Sequence, residues 1–205
     1  MPTETATAAT PAAGTGILIR PARRDDSRRI AELYRIAADG VADYVWSTLA
    51  APGEELIDVG TRRYARDEAD FSYRNTVLAE HDGAVVGILL AYAMPPRTGG
   101  PAEPPADPIL RPYAELEVPG SLYVAGIAVD EGFRRHGIAT RLLARARERA
   151  RVEALYGLSA LVFAANTASR RLFQGQGFAV VDRRAVVPHP LIRHTGEILL
   201  YHAHP

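Results

Sequence analysis

The spacing of apolar and polar residues along the chain predicts alternating strands and helices in a mixed α/β (α+β) domain. Continuous or alternating apolar runs predict strands, and apolar residues that recur at helical spacing predict amphipathic helices. The predicted strands cover residues 17–21, 74–80, 84–94, 122–129, 158–164, 179–187 and 197–202. Asp82-Gly83 between the second and third of these strands predicts a hairpin. The predicted helices cover residues 27–38, 41–49, 54–67 and 166–174, with one more beginning at Ile138. This order predicts mostly antiparallel strands before a central βαβ unit.

Two stretches interrupt this pattern. Residues 1–15 are rich in Ala and Thr and lack an apolar period, so we expect a disordered leader before a single domain over residues 16–205. Residues 95–119 hold eight of the chain's 15 prolines. Such a segment forms neither a central strand nor a long helix, so we expect an insertion loop. The aromatic and acidic residues at 113–118 predict partial order within it.

The amino-acid composition excludes several kinds of chemistry. The chain has no cysteine, which excludes disulfides, thiolate zinc sites and a cysteine acyl-enzyme, and we expect no metal site. All 24 basic residues are arginine, so a Schiff-base lysine and a P-loop lysine are also excluded. The formal net charge is zero and the isoelectric point is about 7.0, so the chain has no basic field to attract nucleic acid.

The sequence also bears on the compartment. No apolar run approaches the roughly 20 residues that span a bilayer. The N-terminal segment lacks the basic and apolar regions of a signal peptide. We therefore expect a cytoplasmic protein with no membrane partner.

A short turn between the predicted strand at 122–129 and the helix at Ile138 contains the run Arg134-Arg135-His136-Gly137. A glycine-bearing turn that opens a helix leaves several backbone N–H groups without partners, and the positive end of the helix dipole lies behind them. Arginine side chains pair well with phosphate oxygens. The turn is therefore predicted to bind a phosphate or pyrophosphate.

Two common nucleotide-binding motifs do not explain this turn. The spacing of Gly132 and Gly137 matches a P-loop, but Ile138 and Ala139 stand where that motif needs Lys and Ser or Thr. Gly175-Gln176-Gly177 resembles part of a dinucleotide-binding motif, but it follows a helix and precedes a strand, which is the reverse of the required order.

A third pattern fits better. The run Arg134-Arg135-His136-Gly137-Ile138-Ala139 matches Arg/Gln-x-x-Gly-x-Gly/Ala after a strand and at the start of a helix. About thirty residues later, a predicted helix capped by Asn166 precedes Gly177-Phe178. Together these residues resemble the GCN5-related N-acetyltransferase (GNAT) superfamily. The resemblance implies a mixed, mostly antiparallel sheet with helices on both faces and acetyl-CoA as co-substrate.

The resemblance also implies which residues hold acetyl-CoA. The backbone of the strand at 122–129 would pair with the pantetheine arm, the N–H groups of the following turn would hold the pyrophosphate, and the helix at 166–174 would contact the pantetheine. The implied residues are Ile127, Ala128, Val129, Arg134, Arg135, His136, Gly137, Ile138, Ala139, Thr140, Asn166, Ser169 and Phe173.

The catalytic acid and base are less clear from the sequence. Many relatives have tyrosine where this chain has Phe173, and phenylalanine cannot protonate the departing thiolate. Tyr123 and Tyr201 are candidate substitutes. For the base that takes the proton of the amine, the candidates are His194, Glu80 and Glu117, and a water relay without one essential base is equally consistent with the sequence.

The resemblance implies direct acetyl transfer to an amine in a ternary complex. The 95–119 loop would narrow access to the acceptor, so we favour a small-molecule amine over a protein lysine or N-terminus. The other hypothesis is a CoA-binding module with little catalysis. Candidate residues for the acceptor pocket are Trp46, Tyr73, Arg74 and Tyr113. Whether the protein forms a homodimer is left open.

Overall fold

A computed structural model describes residues 16–97 and 105–205, so the predicted leader and the middle of the proline-rich loop lie outside the described residues. The strands are β1 (Leu18–Pro21), β2 (Thr76–His81), β3 (Ala84–Ala93), β4 (Leu122–Val129), β5 (Leu158–Phe163), β6 (Ala179–Ala185) and β7 (Glu197–Ala203). The helices are α1 (Ser27–Ala37), α2 (Val41–Leu49), α3 (Leu56–Tyr64), α4 (Arg111–Ala114), α5 (Ile138–Val152) and α6 (Thr167–Gly175).

The strands form one sheet in the order β1-β2-β3-β4-β5-β7-β6. Neighbouring strands are antiparallel except β4 and β5, which are parallel and joined through α5. The β2–β3 hairpin turns at Asp82 and Gly83, whose φ angles of +48° and +80° suit the Asp-Gly pair that predicted it. The prediction of a mixed, mostly antiparallel sheet around a central βαβ unit is confirmed.

Hydrophobic cores cover both faces of the sheet. Along β3, Ile88 and Leu90 pack with residues of α1, α2 and α3, whereas Leu89 and Ala91 pack with α5 and α6. This alternation follows from the two-residue period of a strand, and it explains why β3 reads as a continuous apolar run rather than an alternating one. The predicted placement of helices on both faces is confirmed.

Two predicted boundaries shift because a loop has its own hydrogen bonds. The third helix ends at Tyr64 rather than near Asp67, whose carboxylate accepts hydrogen bonds from the Tyr73 hydroxyl and from Arg74 Nε. Arg74 lies in a 3₁₀ turn, where its backbone N–H donates to Ser72 Oγ, so the strand predicted from residue 74 begins at Thr76. Polar side chains that serve neighbouring backbone groups favour turns over strands.

The described end of the proline-rich loop is ordered against the sheet. Residues 105–119 contain the short helix α4, and Leu116 packs into a third core with Phe163, Ile192 and Ile198. The Tyr44 hydroxyl donates a 2.8 Å hydrogen bond to Asp107 Oδ2, which ties the segment to α2. Among the described residues, no helix is both long enough and apolar enough to cross a membrane.

Candidate active site

A cleft opens where β4 and β5 separate. The two strands pair only from Leu122 to Val124 and from Leu158 to Ala160, and beyond these residues they diverge. The cleft is open to solvent, and the empty space at its walls is about 620 Å³ when the open part is counted. Its walls come from β4, β5, α6 with its N-cap, the C-terminal end of α1, and Val41, Tyr113 and Ile198. Parallel strands that separate in this way leave backbone groups of both strands facing the gap.

A β-bulge in β4 lies at the deep end of the cleft. Leu90 of β3 pairs with Gly126 and the next residue pairs with Val124, so Ala125 is the extra residue. The Ala125 carbonyl accepts a 3.3 Å hydrogen bond from the Tyr34 hydroxyl. An added Cβ at Gly126 would lie 2.7 Å from the Tyr34 ring, so glycine at this position lets α1 approach the bulge closely.

The predicted anion site is an exposed turn at the start of α5. Arg135 has φ of +69° and Gly137, the N-cap of α5, has φ of +74°. Within the described part of the chain, no side chain caps this helix, and its first turn carries no acidic residue. Ile138 is buried and anchors the helix under the turn. Backbone N–H groups at this end therefore suit an anion.

The structure places the predicted acetyl-CoA residues in two groups. Ile127, Asn166, Ser169 and Phe173 line the cleft, while residues 134–140 form the turn at the start of α5. Arg134 Nε donates to the Val129 carbonyl, which ties the turn to β4. The Ala128 side chain packs in the core with residues of α1, and Ala128 pairs with Ile88 of β3, so the neighbouring Ile127 is better placed to face a ligand in the cleft.

Asn166 connects two parts of the site. Its Oδ1 accepts a 3.0 Å hydrogen bond from Ser169 N and caps α6, as the sequence predicts. Its Nδ2 donates a 2.8 Å hydrogen bond to Asp39 Oδ2 at the end of α1. Phe173, on the same helix, is 3% exposed and packs edge-to-face on Phe178.

Two tyrosines bring phenol groups into the cleft. Tyr123 lines it and packs edge-to-face on Tyr92, and burial raises the pKa of Tyr123 well above its ordinary value. Tyr113 also lines it, and burial raises the pKa of this phenol to about 12. The Tyr113 hydroxyl is buried and has no hydrogen-bond partner among the described residues. Both phenols therefore stay protonated at neutral pH and can donate a hydrogen bond.

The glutamate candidates lie away from the cleft. Glu80 Oε2 accepts a 2.6 Å hydrogen bond from Arg20 Nε at the β1–β2 edge, and this residue does not line the cleft. Glu117 is exposed and also does not line the cleft. Both residues are candidates because they lie near strand ends in the sequence, but neither side chain lines the cleft. Neither glutamate has the access to the cleft that a base would need.

Asp39 is a cleft carboxylate that the sequence patterns missed. It follows α1 with φ of +49°, and its side chain is only 14% exposed. His194, a predicted base, lies with Nε2 at 3.5 Å from Asp39 Oδ2 but does not itself line the cleft. The sequence signal was Asp39-Gly40 directly after a helix, which indicates a turn but not the direction of the carboxylate.

Three of the residues suggested for the acceptor pocket have other surroundings. Trp46 is 1% exposed and packs edge-to-face on Tyr64 in the core beside α3. Tyr73 and Arg74 bind Asp67 in the loop before β2 and do not line the cleft. Tyr113 is the one residue of the four that lines the cleft.

Comparisons with known proteins agree with this architecture. The model of the acetyltransferase (GNAT) family matches residues 42–178. The search of curated protein sequences finds no match. An N-acetyltransferase from Staphylococcus aureus Mu50 has a TM-score of 0.62 at 15% identity, covering 91% of this chain and 100% of that chain.

Two further structures share the fold. A ribosomal-protein-alanine N-acetyltransferase from Brucella melitensis has a TM-score of 0.59 at 24% identity, covering 92% of this chain and 99% of that chain. A GNAT family acetyltransferase from Elizabethkingia anophelis, solved with acetyl-CoA bound, has a TM-score of 0.55 at 19% identity, covering 92% of this chain and 98% of that chain. The resemblance found in the sequence is confirmed by the family model. The chain therefore belongs to the GCN5-related N-acetyltransferase family and is an acetyltransferase that uses acetyl-CoA.

Proposed function

We propose that the protein transfers the acetyl group of acetyl-CoA directly to the primary amine of a small molecule while both are bound. The observation that carries this proposal is the shape of the cleft beyond the β4 bulge. Tyr113 and Phe163 face each other edge-to-face with ring centroids 6.2 Å apart, and both line the cleft. Leu116 and Ile192 pack in the same core, so the 105–119 segment and the β6–β7 loop both crowd this end. A narrow, partly aromatic pocket favours a small acceptor.

The residues present fit acetyl-CoA. The uncapped start of α5 offers N–H groups to a pyrophosphate, and Gly137 leaves open space there because an added Cβ would have no neighbour within 4 Å. The exposed backbone of β4 from Ala125 onward is free of pairing with β5 and can bond an extended amide-bearing arm. When bound, acetyl-CoA supplies an activated acetyl thioester.

The chain's own residues would then orient the groups and move protons. The neutral phenol of Tyr123 is a proton donor for the departing thiolate, a role that Phe173 cannot fill. Asn166 holds the start of α6 against the cleft through its cap. Without cysteine, a thiol-linked acetyl-enzyme cannot form, which supports direct transfer.

The absence of cysteine simplifies the assay of this function. Free CoA can be followed with a thiol reagent without background, because the protein has no cysteine of its own. A panel would contain phenethylamine, spermidine, an aminoglycoside, lysine, and peptides with a free N-terminal alanine or an internal lysine. We expect the highest kcat/KM with a small amine and no acetyl group on the enzyme by intact mass spectrometry.

The opposing outcomes are distinct. Faster turnover of a peptide than of every small amine would overturn the acceptor class. Tight acetyl-CoA binding by calorimetry with no turnover on any amine would instead favour a CoA-binding module. Because the chain has no lysine, any acetyl-lysine detected in these assays comes from the substrate.

A further inference from the structure

We propose that Asp39 receives the ammonium group of the acceptor and takes its proton, with His194 behind it as the second proton holder. This inference rests on the proposed amine acetylation and identifies the group that prepares the amine. Among the described residues that line the cleft, Asp39 is the only one with a carboxylate. Neither of the glutamates suggested by the sequence reaches the cleft.

The turn that carries Asp39 is fixed to the β6–β7 loop. Gly40 has φ of +96°, and an added Cβ there would lie 1.9 Å from the Leu191 carbonyl oxygen, so only glycine permits this contact. Arg193 N donates a 2.9 Å hydrogen bond to the Asp39 carbonyl. Asp39 itself adopts a left-handed conformation that residues other than Gly, Asn and Asp rarely take. The backbone therefore sets the direction of the carboxylate before any ligand binds.

The two oxygens of Asp39 have different surroundings. Oδ2 accepts a 2.8 Å hydrogen bond from Asn166 Nδ2 and lies 3.5 Å from His194 Nε2. Oδ1 has no hydrogen bond or ion pair within residues 16–97 and 105–205. One oxygen is therefore held in place, and the other is free to accept a hydrogen bond from a ligand in the cleft.

His194 lies beside the oxygen of Asp39 that is held by Asn166. Its ring packs against Phe163 with centroids 5.1 Å apart, and the side chain is 25% exposed. An imidazole ring can accept a proton, and a protonated His194 would form an ion pair with the Asp39 carboxylate. The geometry therefore allows a proton that reaches Asp39 to pass on to His194.

The proton and bond balance is complete without another reactant. An acceptor ammonium gives one proton to the Asp39–His194 pair and becomes a neutral amine. Its nitrogen forms a bond to the thioester carbonyl carbon as the carbon–sulfur bond breaks. The thiolate gains a proton from Tyr123, which is replenished by the second proton that the acylated nitrogen loses. The pair releases its proton to solvent, so each transfer yields an amide, CoA and one proton.

The surroundings of Asp39 also indicate the class of acceptor. Tyr34, Tyr113, Tyr123 and Phe163 line the same cleft, whereas the cleft has a single carboxylate. One negative charge beside aromatic walls fits a primary amine on an apolar or aromatic body, and suits a polyamine or an aminoglycoside less well. Phenethylamine combines both features and serves as the probe.

The main test is Asp39→Asn, which keeps the shape of the side chain and removes its charge. For the best amine of the panel, kcat/KM should fall by about 100-fold or more, as expected for loss of a general base. Acetyl-CoA binding should change by less than about threefold, because Asn166 keeps its cap of α6. His194→Gln should lower kcat by about tenfold and leave KM nearly unchanged, because this residue does not touch the acceptor.

Asp43→Asn is the matched control. Its side chain is 15% exposed against 14% for Asp39, it lies four positions later, and it pairs with Arg35 rather than lining the cleft. This variant should keep kcat/KM within about twofold, because the change lies away from the cleft. An equal loss in both variants would overturn the role of Asp39 by pointing to stability.

A binding measurement tests the charge directly. The wild-type protein should bind phenethylamine at least about tenfold more tightly than 2-phenylethanol, its neutral counterpart, and Asp39→Asn should remove this preference. If Asp39→Asn does not fold, Asp39→Glu keeps the charge but moves it by one methylene, so it should keep the preference and lose turnover. If the Asp39→Asn or the Asp39→Glu variant turns over the amine as fast as the wild-type protein, the role of Asp39 is overturned and the proposed function stands. If the wild-type protein itself acetylates none of the amines, the proposed function is overturned.

Discussion

The two ends of the cleft are built in different ways. The proposed acetyl-CoA end comes mainly from one continuous stretch, β4 and the turn that opens α5, and offers backbone groups. The proposed acceptor end comes from side chains that are far apart in sequence, such as Asp39 and Tyr113, with His194 behind Asp39, and tertiary contacts bring them together. A site built from the backbone of one continuous segment is visible in the sequence as a short motif. A site built from side chains that are far apart in sequence has no such motif, so a single sequence does not reveal it.

The two ends also differ in what a substitution would disturb. At the acetyl-CoA end, the backbone angles of Arg135 and Gly137 lie in the left-handed region, so backbone conformation is the sensitive property. At the acceptor end, charge and hydrogen-bond partners are the sensitive properties, since Asp39 depends on Asn166 and faces His194. Variants of the two kinds therefore separate the two ends.

Gly137→Val should have the largest effect on the acetyl-CoA end. Gly137 caps α5 with φ of +74°, which a β-branched residue adopts only with strain of about 1 to 3 kcal/mol. The turn would then shift, and its N–H groups would no longer point at one place. We expect acetyl-CoA binding, measured by calorimetry, to weaken by about tenfold or more whatever the acceptor.

Gly132→Val is the control for this change. Gly132 lies in the preceding 3₁₀ turn, its φ is not in the left-handed region, and an added Cβ there has no neighbour within 4 Å. Its acetyl-CoA affinity should stay within about threefold of wild type, as for a surface substitution. Equal affinity of the Gly137→Val variant and the wild-type protein would show that the turn does not hold the pyrophosphate.

The same contrast explains how much the sequence could predict. The order of elements, the Asp-Gly hairpin and the Asn166 cap followed from local patterns, and the structure has each of them. The direction of the Asp39 carboxylate depends on a clash avoided at Gly40 and on Arg193, more than 150 residues away in sequence. No local sequence pattern predicts the contact between the Asp39-Gly40 turn and the loop that carries Arg193. The placement of Glu80 away from the cleft has a related reason, since its partner Arg20 comes from another strand.

Asn166 belongs to both ends, so its variants show how strongly they are coupled. Asn166→Ala removes the cap of α6 and the hydrogen bond to Asp39, whereas Asn166→Ser keeps a capping hydroxyl and removes only the second. We expect the alanine variant to lose about 1 kcal/mol more unfolding free energy than the serine variant in urea denaturation. Both should lower kcat/KM for the amine by about tenfold because Asp39 is less well oriented.

The Asn166→Ser variant shows whether a loss of turnover comes from the lost hydrogen bond to Asp39 or from lower stability of the protein. If Asn166→Ser keeps both its stability and its full turnover, the hydrogen bond to Asp39 contributes nothing to the acceptor end. If both variants lose stability equally, the Ser169 contact does not act as a cap.

Phe173→Tyr should have the smallest effect, and it tests which end supplies the proton for the thiolate. The Phe173 ring is 3% exposed, lines the cleft and packs on Phe178, so a hydroxyl added at its tip leaves the backbone of the acetyl-CoA end unchanged. We expect acetyl-CoA affinity to stay within about threefold of wild type.

With Tyr123 present as proton donor, kcat should also change by less than about threefold in the Phe173→Tyr variant. Tyr123→Phe should lower kcat by roughly tenfold or more, and adding Phe173→Tyr should restore part of it, because a phenol at either position would face the same cleft. A large rise of kcat in Phe173→Tyr alone would mean that the thiolate leaves the wild-type protein without a donor, and that Tyr123 only packs. Collapse of acetyl-CoA binding would instead place the Phe173 ring against the cofactor more tightly than its packing on Phe178 indicates.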